Sequence, residues 1–412
     1  MQSLKQERNQ FLFILCLVFL SFIGISMPYL IFPSLFFSPI TSIIPSDWGD
    51  VSRSIFLGIT LAAYPFGQFI GSPILGSLSD DYGRKPLMVI SLLIAAICNL
   101  FSAFAIGSHL LSVLILSRFF TGVMEGNVAI ARAMAADLKT IPKTKSLGRV
   151  NAAISFAYLL GPLIGGVLSD KEVFGRFQAS SPFYIIFVLF LILFVLSIFI
   201  LPSSKTVSIE GKMSFVKRLN LFQRIPQLFQ KAKHLKWLIL SSTFFTLGVD
   251  IFYEFGPVYL TLEWLFSPAK LVIYSGVLCI GLVLGNGWLS SLFFSDQKAK
   301  LPAVSYSIAL LGLFLLFMTF THSNLMMLFL FFTSGIVIGI VVTLLTVKIS
   351  DAAPDQAQGE ALGVQVSLRV LGDALICLFG GVLLAFSGKS LLIGSALISF
   401  LTLIYYVKNA PR

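Results

Sequence analysis

Gly76-Ser-Leu-Ser-Asp-Asp-Tyr-Gly-Arg-Lys-Pro86 is a short polar hairpin between two long apolar runs. About 20 apolar residues precede it and about 20 follow, each enough to cross the hydrocarbon core of a bilayer. A connection this short makes the flanking helices antiparallel neighbours. Gly76 and Gly83 let the chain turn tightly and let backbones approach. Asp80 offers an acceptor for backbone or arginine donors, and Arg84 with Lys85 mark the cytoplasmic side.

Outward from this loop, the composition says the same. The 412 residues are 57% hydrophobic and only 11% charged. Such a chain has too little charge to solvate a surface, so lipid is its solvent. The net charge of +11 is a topology signal, not a nucleic-acid footprint. With loops assigned alternately, roughly 21 Lys/Arg fall on the amino-terminal side and about 5 on the other, placing both termini in the cytoplasm. Cys16, Cys98, Cys279 and Cys377 lie inside apolar runs and read as small apolar side chains, while His109, His234 and His322 are scattered over loops. The expectation is no metal, no disulfide framework and no cofactor. The first apolar run, about 11–36, is too long for a signal-peptide core and reads as a retained span.

Charge inside the apolar runs is the next signal. Along the fourth run, 111–137, Arg118, Gly122, Glu125 and Arg132 recur at spacings that put them on one helical face. A charge facing lipid costs about 2.5–3.5 kcal/mol on insertion scales, so this face turns to the protein interior or a watery cavity. Either an Arg–Glu pair locks the helix to a neighbour or the stripe lines a path. In the seventh run, Asp250 and Glu254 stand four apart, with Asp250 about 21 Å from the cytoplasmic end. Two carboxylates in a low-dielectric cavity repel when both are ionised, so one is expected to hold a proton easily. Arg369 and Asp373, again four apart, form either a self-neutralising pair or partners for those acids.

The chain repeats. Leu147-Gly148 and Gly165-Gly166-Val167-Leu168 recur as Leu362-Gly363 and Gly380-Gly381-Val382-Leu383, each displaced by 215 residues. The long polar segment 203–236, with eight basic residues and Glu210, separates six runs from six. The expected fold is therefore an all-α polytopic membrane protein of 12 transmembrane helices in two six-helix, pseudo-symmetric halves. These are a bundle over 1–202, a basic cytoplasmic linker over 203–236, and a second bundle over 237–412.

The hairpin, written Gly-x-Leu-Ser-Asp-x-x-Gly-Arg-Lys-Pro, resembles the signature loop between helices 2 and 3 of the major facilitator superfamily. Arg118-x-x-x-Gly122 resembles that family's helix 4 motif. The helix 5 stretch Gly161-Pro162-Leu-Ile-Gly165-Gly166 resembles the motif of its drug:proton antiporters, with Ala157 in place of the first glycine. The resemblance implies a latch made by Gly76, Asp80, Gly83, Arg84 and Asp137, with Asp80 docking near Glu360–Gly363. Asp81 stands where the family usually has a basic residue. The acidic residue common in helix 1 of such antiporters is absent, leaving only Ser21 and Ser26 there.

The function expected from this resemblance is proton-driven export of small amphipathic organic molecules (multidrug efflux) by alternating access. Its proton-coupling and substrate cavity is formed by Asp250, Glu254, Glu125, Arg118, Arg369 and Asp373. Siderophore or organic-anion export, and import or uniport on the same fold, are the alternatives. A membrane enzyme is disfavoured, because no His/Asp or Ser/His cluster stands at a membrane face. The expected partners are the substrate, protons and the lipid bilayer, with no nucleic acid. The expected state is a monomer in a bacterial inner membrane.

Overall fold

The computed structural model describes residues 2–38, 42–45, 47–141, 143–169, 178–202, 233–290, 297–352 and 358–409, without the side chains of a few helical positions, Asp80 among them. The chain forms two compact units. One comprises Met1–Asp47 and Ile59–Leu221, the other Trp48–Gly58 and Phe222–Arg412. Most of the expected linker, 203–232, lies outside the described residues.

The first unit holds α1 (Gln2–Ser26), α2 (Pro28–Phe37), most of α3 (Asp50–Tyr82), α4 (Arg84–Gly107), α5 (Leu111–Met124), α6 (Asn127–Ala136), α7 (Lys143–Ser169) and α8 (Ser181–Ile200). The second unit holds α9 (Lys233–Trp264), α10 (Pro268–Leu284), α11 (Gln297–Phe320), α12 (Asn324–Ala352), α13 (Gln358–Phe386) and α14 (Gly388–Lys408). Among the described residues, eleven stretches are long and apolar enough to cross a membrane; in two of them, α1 with α2 and α5 with α6 act as one span. The apolar run that follows Trp264 is described only as far as residue 290. Its α-helix is Pro268–Leu284, prolonged by a π-helical turn at Gly285–Leu289. The expected continuous fourth helix is broken, between Met124 and Asn127.

The units repeat one packing scheme. In the first, α1 packs on α7 and α8, and α4 packs on α5 and α8. In the second, α9 packs on α13 and α14, and α11 packs on α12 and α14. The remaining contact in each scheme is made by glycines. Gly67 and Gly71 of α3 lie against the backbone of Phe119 and Val123, while Gly122 and Gly126 lie against Tyr64 and Gly71. In the second unit Gly281 and Gly285 meet Phe332 and Ile336 of α12, and Gly335 and Gly339 meet Leu278 and Leu282 of α10. Each pair is spaced Gly-x-x-x-Gly, so both glycines share a face and the backbones approach to contact.

Polarity is arranged for lipid. Phe101, Phe120, Phe199 and Phe320 are exposed, while Arg118, Glu125, Asn127, Asp250, Glu254 and Asp373 are buried. At Gly83, φ is 94° and ψ 146°, backbone that essentially only glycine adopts without strain. This turn aims the next two residues back at the bundle. Arg84 pairs with Asp137, and Lys85 Nζ donates to Ile198 O at 2.7 Å. That carbonyl, in the last turn of α8, has no partner within its own helix.

Gly71→Ala, whose new Cβ would lie within 3.0 Å of the Val123 backbone, is expected to cost about 1–3 kcal/mol as overpacking. Gly107→Ala, with open space around it, is expected to stay within about 0.5 kcal/mol. Thermal unfolding in lipid nanodiscs checks both, and equal stability of the two variants would contradict the glycine seam.

Candidate functional site: two buried polar clusters

The first cluster begins with a proline. Pro28 has no N–H, so the Gly24 carbonyl four residues earlier loses its helical donor, and α1 gives way to α2 at Met27. Arg118 Nη1 supplies the missing donor at 3.2 Å. Its guanidinium lies 4.4 Å from the Tyr64 ring centroid and 5.9 Å from that of Phe183. One arginine on α5 thus ties α1, α3 and α8 together, and at 3% exposure it does so away from lipid. Gly161 and Gly165 of α7 press on the same break in the first span, against Ile23, Ser26 and Met27. Pro162 and Gly166 are buried beside them, and Tyr158 of the same helix meets Tyr29 hydroxyl to hydroxyl at 3.3 Å.

Glu125 sits where α5 stops. Its N–H is shared between Thr121 O and Gly122 O, and Val128 N bonds back to Glu125 O, a local tightening from i→i−4 to i→i−3 bonds. The groups acting on its carboxylate are the Tyr64 and Ser21 hydroxyls and Arg118. None is in hydrogen-bond geometry with it: Glu125 Oε1, Tyr64 OH, Ser21 Oγ and Arg118 Nε are all buried without a protein partner. Arg132, later on the stripe, is not among the groups acting on Glu125.

The second cluster joins α9 to α13. Asp250 and Glu254 occupy one face of α9, and Arg369, Asp373 and Cys377, each four apart, occupy one face of α13. Arg369 Nη2 lies 3.7 Å from Asp250 Oδ1. Glu254 and Asp373 face each other across the two helices, and Cys377 Sγ donates to Glu254 Oε2 at 2.8 Å. Asp250 Oδ2 and Asp373 Oδ1 are buried without partners. Arg369 and Asp373 are therefore not simply a self-neutralising pair; both turn to the acids of α9. Cys377, expected to act as a small apolar side chain, is instead a donor to a carboxylate. Its spacing from Arg369 and Asp373 was the available signal.

Of the expected latch, the Arg84–Asp137 pair is present and Gly83 makes the turn. Gly76 stands near Ala129 of α6. The Asp80 side chain, and its expected docking near Glu360–Gly363, lie outside the described residues. No group of three or more His, Cys, Asp or Glu able to hold a metal occurs among the described residues.

Among the described residues, eleven apolar spans and one shorter apolar helix, in two like units that each bury charged groups, are those of an integral membrane protein. The family it matches is one of small-molecule transporters rather than enzymes. The chain belongs to the Major Facilitator Superfamily, whose family model matches residues 14–377. Multidrug resistance protein 2 of Bacillus subtilis is 30% identical over a stretch covering 52% of this chain and 49% of that protein, so this match spans about half of each. Quinolone resistance protein NorA of Staphylococcus aureus is 26% identical, covering 89% of this chain and 87% of NorA. The fold is that of the human organic anion transporter MFSD10 (TETRAN), with a TM-score of 0.66 at 18% identity. It is shared by the nucleoside transporter NupG, with a TM-score of 0.69 at 14% identity. Each comparison covers 97% of this chain and 99% of the other.

A double-mutant cycle with Asp250→Asn and Arg369→Met is expected to show a coupling of about 0.5–3 kcal/mol, the double variant recovering part of what each single one loses. Unfolding in nanodiscs reads it, and strict additivity would contradict the ion pair.

Proposed function

We propose that this chain is a proton-coupled exporter of small amphipathic organic molecules, of the multidrug efflux kind. It works by alternating access as a monomer in a bacterial inner membrane, with both termini in the cytoplasm. The observation that carries the reading is the charge count of the second cluster: three carboxyl groups, Asp250, Glu254 and Asp373, against the single guanidinium of Arg369. Fully ionised, this group holds a net charge of minus two in a desolvated interior, where an uncompensated charge costs several kcal/mol. A proton and an organic cation relieve the same imbalance. Binding of one therefore favours release of the other, and exchange follows without direct contact between them.

The parts have distinct roles. Glu254 and Asp373 face each other, so a proton held by either one relieves their repulsion, and Cys377 steadies the Glu254 oxygen. Arg369 holds Asp250 and moves with it. No cofactor takes part; the proton gradient supplies the free energy. The drug- and quinolone-resistance names of the relatives support an amphipathic substrate, and the packed Gly161-Pro162 stretch of α7 agrees with the exporter type it resembles. An anionic substrate is the second reading, favoured by the Arg369 side chain, which is 46% exposed.

Liposomes reconstituted with the protein and loaded with an interior pH dye test both readings, with lipophilic cations and anionic chelators added one by one. Proton movement on adding a cation, lost in Asp250→Asn or Glu254→Gln, is expected. Substrate flux with no proton movement would leave a facilitator on the same scaffold and sink the coupling.

A further inference from the structure

We infer that Glu125 is a second proton-binding site, held in the first unit and filled independently of the acidic cluster in the second. Its place in a transport cycle rests on the proton-coupled reading above, but its existence does not.

Three observations carry this. First, Glu125 is 2% exposed, and its Oε1 has no donor. A carboxylate stripped of water and left without a donor costs several kcal/mol. Second, the nearby positive charge is engaged elsewhere. Arg118 donates to Gly24 O and stacks on Tyr64, and no ion pair joins it to Glu125 among the described residues. A static Arg–Glu lock is therefore not what this geometry forms. Third, the remaining neighbours are neutral hydroxyls. Tyr64 OH and Ser21 Oγ are buried, unpartnered and adjacent to the carboxyl. A hydroxyl can donate to the carboxylate or accept from the protonated carboxyl, so this lining accommodates both states. A proton on Glu125 removes the buried charge, which the hydroxyls alone do not neutralise.

The independence follows from the partner sets. The charged and titratable groups facing Glu125 are Tyr64 of α3 and Arg118 of α5; Ser21 of α1 is the neutral third. Those acting on Asp250, Glu254 and Asp373 are Arg369, Cys377 and one another. The two sets share no member, and each belongs to a different unit.

The test is infrared difference spectroscopy between acid and alkaline pH on the full chain in lipid nanodiscs, reading the protonated-carboxyl stretch. Wild-type protein is expected to show a band that Glu125→Gln loses. Asp250→Asn/Glu254→Gln/Asp373→Asn is expected to keep that band with its pH midpoint unchanged. Coincident spectra for wild type and Glu125→Gln would overturn the site. Where Glu125→Gln does not fold, the triple variant decides: loss of all pH-dependent carboxyl signal, or a shifted midpoint, overturns the inference. Absence of substrate-linked proton flux in liposomes would remove the proposed function and leave this site standing. Coincident spectra would do the reverse.

Discussion

Hydrocarbon offers no hydrogen bonds, so every charge and every freed backbone group in this chain has to find a protein partner or go without. Arg118 shows one such partnership. Pro28 frees the Gly24 carbonyl, and a guanidinium from another helix reaches across to satisfy it, with Tyr64 and Phe183 shielding the charge. The glycine seams serve the same end by another route. Where backbones meet directly, as at Gly71 with Val123 or Gly285 with Ile336, helices gain close packing that the hydrophobic effect cannot supply between apolar surfaces already in lipid.

Against that background the buried acids matter most among the groups left unsatisfied, because each carries a titratable charge. Asp250, Asp373 and Glu125 each leave a carboxyl oxygen buried without a partner, as neutral groups such as Tyr64 and Asn127 also do. Lys85 is recruited to an exposed carbonyl of α8, while Asp250, Asp373 and Glu125 stay undersatisfied. Incomplete satisfaction is what the proposed exchange requires, because a fully paired carboxylate has little reason to accept a proton. The placement of one such group on α5 and of the others on α9 and α13 gives each half of the repeat its own buried acid.

Much of this was legible in the residues. The Gly76–Pro86 motif and the length of the apolar runs identify the fold, because the bilayer imposes length directly; the hairpin expected there is tighter than the sequence suggests, helical up to Tyr82 and again from Arg84, with Gly83 alone making the turn. The Arg118–Glu125 stripe follows from helical periodicity alone. The helix break beside Glu125 was not legible, since no proline marks it; it appears in the backbone as shared and shortened hydrogen bonds. Partner choice was also hidden. The spacing of Arg369 and Asp373 is equally consistent with a pair within one helix, and only the packing of α13 on α9 directs both outward. Cys377 was misread because a thiol in an apolar run is usually apolar packing, and its role depends on a carboxylate 123 residues away. The Gly-x-x-x-Gly pairs were visible, but which helices they join was not.

The central claim is that the cluster on α9 and α13 is under-compensated and therefore exchanges protons. Potentiometric titration of the purified chain in nanodiscs, compared with Asp250→Asn/Glu254→Gln/Asp373→Asn, tests it without any choice of substrate. The account predicts that wild-type protein takes up protons across the physiological pH range that the variant does not. Superimposable curves would mean that these three acids hold one protonation state throughout, and proton coupling at this cluster would be contradicted.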